Sequence, residues 1–270
     1  MGAYWRPGDL AEALHILRSA RPRILAGGTR LVRGATPADW DQDWLDITGI
    51  AALQGIAATA QGWRIGAATT WTALLAAPIA ALRQAAATVA SPQVRHQATI
   101  GGNLAARFAS ADGAPALLAL DAVLEVTCAE ATRQLPLGQF LAGSALAPNE
   151  LITAILVPQC THSAFAKHGS RQAVNVAEVT AAVRLDFTDG RVSGAGLALG
   201  GCLAAAQRLP ALEAALLGQP ATNLAALVTP DALAHLTLLD DFRAPAPYRQ
   251  HVAATLLRRL LTALAPEAVA

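Results

Sequence analysis

Apolar and polar positions follow two different periods along this chain. Leu10, Leu14 and Leu17 recur at helical spacing behind Asp9, a residue type that caps helix starts, so residues 7–20 predict a first helix. ILAGG (Ile24 to Gly28) reads as a short strand running into a turn, and WLDIT (Trp44 to Thr48) as a second strand. A strand follows at residues 63–67, then helices at 70–76 and 79–90. An apolar helix is predicted near Ala114 to Leu120, while AVLEVTCA, RQLPL and LITAILVP alternate as strands. His162 to Ser170 is polar and reads as a link. VTAAVRLDF and RVSGAGLALGG flank Asp189-Gly190, a dipeptide suited to a tight turn with positive φ, and predict a hairpin. From Ala211 on the chain is predicted mostly helical, with Leu256, Leu257, Leu260 and Leu261 at helical spacing. The pattern is mixed α and β, with a soft boundary near residue 160 and no internal repeat.

Composition narrows the function. The 270 residues suffice for one large domain or two ordinary ones. Apolar residues make up 54% of the chain, but much of this is alanine. No run reaches the roughly 18 apolar residues of a membrane-spanning helix, so no membrane span is expected. A net charge of +1 without a basic stripe argues against nucleic acid as a partner. MGAYWRPGDL lacks the pattern of a secretory signal. Cys128, Cys160 and Cys202 form no CxxC pair and the six histidines share no ligand spacing, so no metal site is expected. Such cysteine usage suits a reducing cytoplasm. The low charged fraction, 14%, suits a surface partly covered by a partner.

Two glycine pairs carry the candidate chemistry: AGGTRL (Ala26 to Leu31) and TIGGNL (Thr99 to Leu104). Adjacent glycines permit positive φ and remove the Cβ atoms that block close approach. Successive backbone N–H groups then line a concavity that holds an anion. Two such loops could grip the two phosphates of a dinucleotide, with Thr29, Thr99 and Asn103 as side-chain donors. Neither loop has the spacing of a Rossmann or P-loop motif. The alternative is that each pair is a tight turn, with Thr99 and Asn103 as local caps.

AGGTRL and TIGGNL together resemble the paired flavin-loop motifs of the FAD-binding medium subunit of molybdenum hydroxylases, the xanthine, aldehyde and carbon monoxide dehydrogenase family. The resemblance extends through YWRPGDLAEALHIL, VASPQVRHQATIGGNLA, ASADGAPALLALDAVLEV, ELITAILVP, FAKHGSRQAVNVAEVTAAV and RAPAPYRQHVAATLLRRLL. It implies an α+β fold: an FAD-binding domain at 1–160, made of two α/β subdomains (about 1–58 and 59–160) of the vanillyl-alcohol-oxidase-like superfamily. A smaller C-terminal domain of antiparallel sheet plus helices follows at 161–270. The implied function is electron transfer from [2Fe–2S] clusters to an external acceptor by an FAD-carrying subunit. The implied partners are a large molybdopterin-binding subunit and a small iron–sulfur subunit. The alternatives are a freestanding flavin oxidoreductase and a structural subunit that has lost FAD.

Residue by residue, the resemblance places Ile24, Leu25, Ala26, Gly27, Gly28, Thr29, Arg30 and Leu31 around the cofactor. Ala90, Thr99, Ile100, Gly101, Gly102 and Asn103 complete that contact set. Asp112 is implied near the adenosine side, where a carboxylate accepts from a ribose hydroxyl; as a plain residue it is also a helix N-cap candidate. Lys167, the chain's one lysine, is implied at the flavin N1 and C2 carbonyl edge, where a cation raises the reduction potential. Leu151 and Ile152 are either ring contacts or core strand residues. Arg30 reaches a phosphate or faces solvent, and Phe108 is placed to stack near the cofactor. Arg171 and Arg249 are expected to tie domains together, and His168 to be exposed.

Overall fold

The predicted strands gather into three sheets. The computed structural model describes residues 2–33, 35–171, 174–229 and 231–265. Gln172 and Ala173, inside one of the family-like stretches, lie outside these residues. A parallel sheet of order β1-β3-β2 comes first, from β1 (Tyr4–Trp5), β2 (Arg23–Leu25) and β3 (Trp44–Asp46). An antiparallel sheet of order β4-β5-β8-β6-β7 follows. It uses β4 (Ile56–Thr59), β5 (Gly62–Gly66), β6 (Val123–Thr127), β7 (Thr132–Pro136) and β8 (Leu151–Pro158). The third sheet, also antiparallel, has the order β12-β11-β10-β9: β9 (His162–His168), β10 (Val179–Thr188), β11 (Arg191–Gly200) and β12 (Gln207–Arg208).

Among the described residues, ten α-helices fill the spaces. They are α1 (Leu10–Ala20), α2 (Pro37–Trp40), α3 (Trp71–Leu74), α4 (Ala80–Thr88), α5 (Pro92–Gln97), α6 (Ile100–Ala105), α7 (Gly113–Ala119), α8 (Leu137–Leu141), α9 (Pro210–Leu216) and α10 (Ala246–Leu264). The Asp9 carboxylate accepts from the Glu12 N–H at 2.9 Å, and α1 buries Leu14 and Leu17, as its pattern predicts. Asp189 and Gly190 take φ values of +51° and +70° and turn β10 into β11. The α10 leucines 256, 257, 260 and 261 are all buried, each worth about 1.5–3 kcal/mol relative to exposure. No described helix is long and apolar enough to cross a membrane.

Three local readings need correction. His162 to Ser170 is not a link: most of it is β9, the edge strand of the third sheet, with Ser163, Ala164 and Phe165 buried. Its polar character misleads because the buried Ser163 hydroxyl accepts from the Ala81 N–H. TIGGN is not an open loop but the start of α6. After α9 the chain runs to α10 through 3-10 turns at Leu224–Leu227 and Asp231–Leu233 and irregular segments, not continuous helix.

α7 joins the layers. All seven of its residues are buried, and it packs on α4, α6 and α8 and on β10, β11 and β12. Gly196 of β11 crosses it so closely that a Cβ would overlap the Ala119 carbonyl oxygen. Gly196→Ala is therefore expected to destabilise the fold by about 1–3 kcal/mol, since backbone cannot yield as a side-chain tip can. The Gly8→Ala control, where a Cβ meets nothing within 4 Å, should leave the urea midpoint in place.

Candidate functional site

β2 ends at Leu25 and the chain turns through Ala26 to Leu31. Gly28 supplies the left-handed φ of +66° that this turn requires. Gly27 permits close approach: a Cβ there would overlap the Gln97 carbonyl oxygen at the end of α5. Among the described residues, the N–H groups of Gly27, Gly28, Thr29 and Arg30 donate to no protein acceptor. All four residues line a cleft of about 510 Å³. A run of unspent amides beside a concavity is an anion site, and the volume lies in the range that takes a cofactor-sized ligand.

The second glycine pair does different work. The Thr99 hydroxyl caps α6 by accepting from the Gly102 N–H at 3.1 Å. The N–H groups of Ile100, Gly101 and Asn103 donate to the carbonyls of Thr69, Ala67 and Thr99 at 3.0, 2.8 and 3.0 Å. Neither Gly101 nor Gly102 has a positive φ. These glycines exist for packing: a Cβ would stand 2.7 Å from the Ala67 oxygen or 2.9 Å from the Thr99 hydroxyl. Their amides are spent inside the protein. Thr99, Gly101, Gly102 and Asn103 all line the cleft, and the Asn103 side-chain Oδ1 is buried without a hydrogen-bond partner among the described residues.

Asp112 stands at the N-cap position of α7 but makes no capping bond, so the cap reading fails. Its Oδ2 accepts instead from the Lys167 ammonium at 2.7 Å, with both side chains less than a tenth exposed. Lys167 also donates to the carbonyls of Thr88 and Asn175 at 3.1 and 3.2 Å, which engages all three of its N–H bonds. It is not a solvated surface lysine. The other Asp112 oxygen, Oδ1, is buried and unpartnered. Burial pushes the Asp112 carboxyl up to about 6, against the opposing pull of Lys167.

The cleft gathers most of the remaining candidates. Ile24, Ala26 and Leu31 line it, as do Ala90, Leu151 and Ile152. Leu151 and Ile152 are also buried, as core strand residues of β8. Ala90 has a left-handed φ of +40°, and Arg95 donates to its carbonyl and to that of Val89 at 3.0 and 2.8 Å. Arg30 and Phe108 line the cleft with the guanidinium 4.0 Å above the ring. Leu25 and Ile100 do not line it; Ile100 is fully buried in the main core.

Arg249 is not an interdomain tie. It is buried and donates to the carbonyls of Ala244, Glu178 and Gly201 and to the Asp241 carboxylate, all within the C-terminal third. Arg171 donates only locally, to the Val174 carbonyl. His168 is half-buried, its Nε2 lying 2.9 Å from the Tyr248 hydroxyl. Trp71, Val89, Asn175 and Val176 also line the cleft and were missed. An apolar residue that lines a cleft has the same sequence pattern as one that fills a core.

Residues 1–160 match the family model of the FAD binding domain in molybdopterin dehydrogenase, and residues 164–264 that of the CO dehydrogenase flavoprotein C-terminal domain. The carbon monoxide dehydrogenase medium chain of Afipia carboxidovorans is 33% identical, over 95% of this chain and 94% of that one. The putative xanthine dehydrogenase FAD-binding subunit of Escherichia coli K12 is 30% identical, over 96% of this chain and 94% of its own. Reconstituted CO dehydrogenase from Oligotropha carboxidovorans superposes with a TM-score of 0.86 at 28% identity, covering 98% of this chain and 99% of that one.

A carboxyl whose folded pKa lies above its unfolded value binds its proton more tightly when folded. Stability contributed by protonated Asp112 is thus lost as pH rises from about 4 to about 6, then stays constant. Across that window the ligand-free chain should lose about 1–3 kcal/mol relative to Asp112→Asn, measured by urea unfolding at each pH. Parallel curves for the two proteins would show that Asp112 titrates alike folded and unfolded.

Proposed function

The chain belongs to the family of FAD-binding medium subunits of the molybdenum hydroxylases, and we propose that it is the electron-transfer flavoprotein subunit of such an oxidoreductase. It works between [2Fe–2S] clusters on a small iron–sulfur partner and an external acceptor, while substrate is oxidised at molybdopterin on a large partner. The FAD-binding part is placed at 1–160, its two subdomains built on the first and second sheets, and the C-terminal part at 161–270. The complex is placed in the cytoplasm.

The observation that carries the reading is the run of free amides from Gly27 to Arg30 beside two unpartnered acceptors, Asn103 Oδ1 and Asp112 Oδ1. The donor set fits FAD. Free backbone N–H groups suit a diphosphate, and buried acceptors suit hydroxyl donors of a ribose or ribityl chain. Val89, Leu151 and Ile152 offer apolar walls to a flat ring. FAD, when bound, supplies one- and two-electron redox chemistry. The chain's own residues bind, orient and shield it. Lys167 holds Asp112 in place and brings an ammonium to the lining of the cleft; its charge, partly offset by that carboxylate, favours the more negative, reduced form through space. A freestanding oxidoreductase or a subunit without FAD is the less favoured reading.

The chain copurified with its partners should show flavin absorbance near about 370 and 450 nm, a property of the cofactor itself; a colourless complex would sink the flavoprotein reading. In the molecules that retain FAD, Lys167→Met should lower its reduction potential and slow reoxidation. An unchanged potential would remove Lys167 from the electrostatics of the cofactor.

A further inference from the structure

We infer that Arg30 and Phe108 form a clasp across the mouth of the cleft and set the rate at which bound FAD leaves; the inference rests on the flavoprotein reading. The segment after β2 and the stretch that runs from the end of α5 through α6 to Phe108 touch twice. At the inner contact Gly27 lies against the backbone of Gln97 and Ala98, and Ala26 lies 4.0 Å from where a Gly102 Cβ would stand. At the outer contact the Arg30 guanidinium lies 4.0 Å above the Phe108 ring. Between the contacts, Gly28 and Thr29 on one side and Asn103 and Ala106 on the other face the cleft. The two segments thus close a ring around part of the cleft, and the outer contact is made by side chains alone.

The outer contact is also the exposed one. Arg30 is exposed and Phe108 is 41% exposed although both line the cleft, which puts them at its rim. Among the described residues Arg30 has no carboxylate or hydrogen-bonding partner, so the ring face is what holds it. Held over the ring by its charge, the guanidinium keeps its N–H groups free for an anion such as a phosphate. The placement of Phe108 is built rather than loose. Arg107 takes a left-handed φ of +49°, unfavourable for a residue with a Cβ. It is held there by a bond to the Ser144 carbonyl and by stacking 3.9 Å above Phe140.

An elongated dinucleotide lying through the ring leaves when the side-chain contact opens. The test loads the full complex with FAD, dilutes it, and follows release by the rise in flavin fluorescence. Phe108→Leu and Arg30→Gln should each speed release about two- to fivefold, the effect of losing an exposed cation–π contact. The double variant should release no faster than Arg30→Gln alone, and Phe108→Tyr should keep the wild-type rate. Urea midpoints should not move, which separates a clasp from a general loss of stability. Release unchanged in Phe108→Leu, or additive effects in the double variant, overturns the clasp while leaving the flavoprotein reading intact. A wild-type complex that never holds FAD overturns that reading, and the clasp with it.

Discussion

Taking a charge out of water costs several kcal/mol unless an opposite charge and hydrogen bonds replace the solvent, and four pieces of chain must meet before Lys167 and Asp112 satisfy that condition. The ammonium comes from β9, the carboxylate from the residue before α7, and the two carbonyls from the end of α4 and the segment after β9. The opposite end of α7 is held by arginines: Arg208 donates to the Leu118 carbonyl, and both Arg208 and Arg184 pair with Asp121. A carboxylate at the helix start and guanidinium groups at its end agree with the helix dipole. α7 is thereby fixed at both ends by side chains of the third sheet. That fixes where Asn103 and Asp112 stand, because Gly113 packs against the Asn103 side-chain Oδ1 and the Trp71 ring.

One dipeptide serves two physical ends here. Gly27-Gly28 leaves its amides without a protein acceptor beside the cleft; Gly101-Gly102 spends its amides and lets a helix start sit tightly on Ala67. The sequence alone shows that both places need glycine. It does not show which need is met, because the backbone that decides it, at Ala67 for one pair and at Gln97 for the other, belongs to other segments. The same limit explains the fold. α1 and the β10–β11 turn were legible because their causes are local: Asp9 caps its own helix, and Asp189-Gly190 sets its own φ angles. β9 was not, since its serine is made acceptable in the interior by an N–H donor from α4, 82 residues away.

The site was legible in its gathering and less so in its contacts. Residues from both glycine segments, from β8 and from β9 line one cleft, as the family resemblance implied. Ile100, assigned to the cleft with its neighbours, points the other way because a helix start alternates its faces as a loop does not. Asp112 carries the signature of an N-cap, yet its carboxylate is drawn off by a lysine 55 positions later. Pairings across such distances leave no trace in local pattern. Arg30 and Phe108 are likewise unremarkable apart, and acquire meaning only when the ring that joins their segments is seen.

Fixed charge, rather than exchangeable protons, distinguishes this cleft. Its ionisable lining among the described residues is Arg23, Arg30, Asp112, Glu150 and Lys167. Arg23 is paired with Asp39, and Glu150 is held by the fork of Arg133, which keeps its carboxyl below the usual range. Asp112, at about 6, is the carboxyl nearest to titrating in neutral solution. A ligand hydroxyl donated to its free Oδ1 would stabilise the ionised form and draw the group away from neutrality. Filling the cleft therefore silences its last candidate acid. What remains in the described lining is a set of donors, acceptors and charges suited to holding a redox group rather than to trading protons.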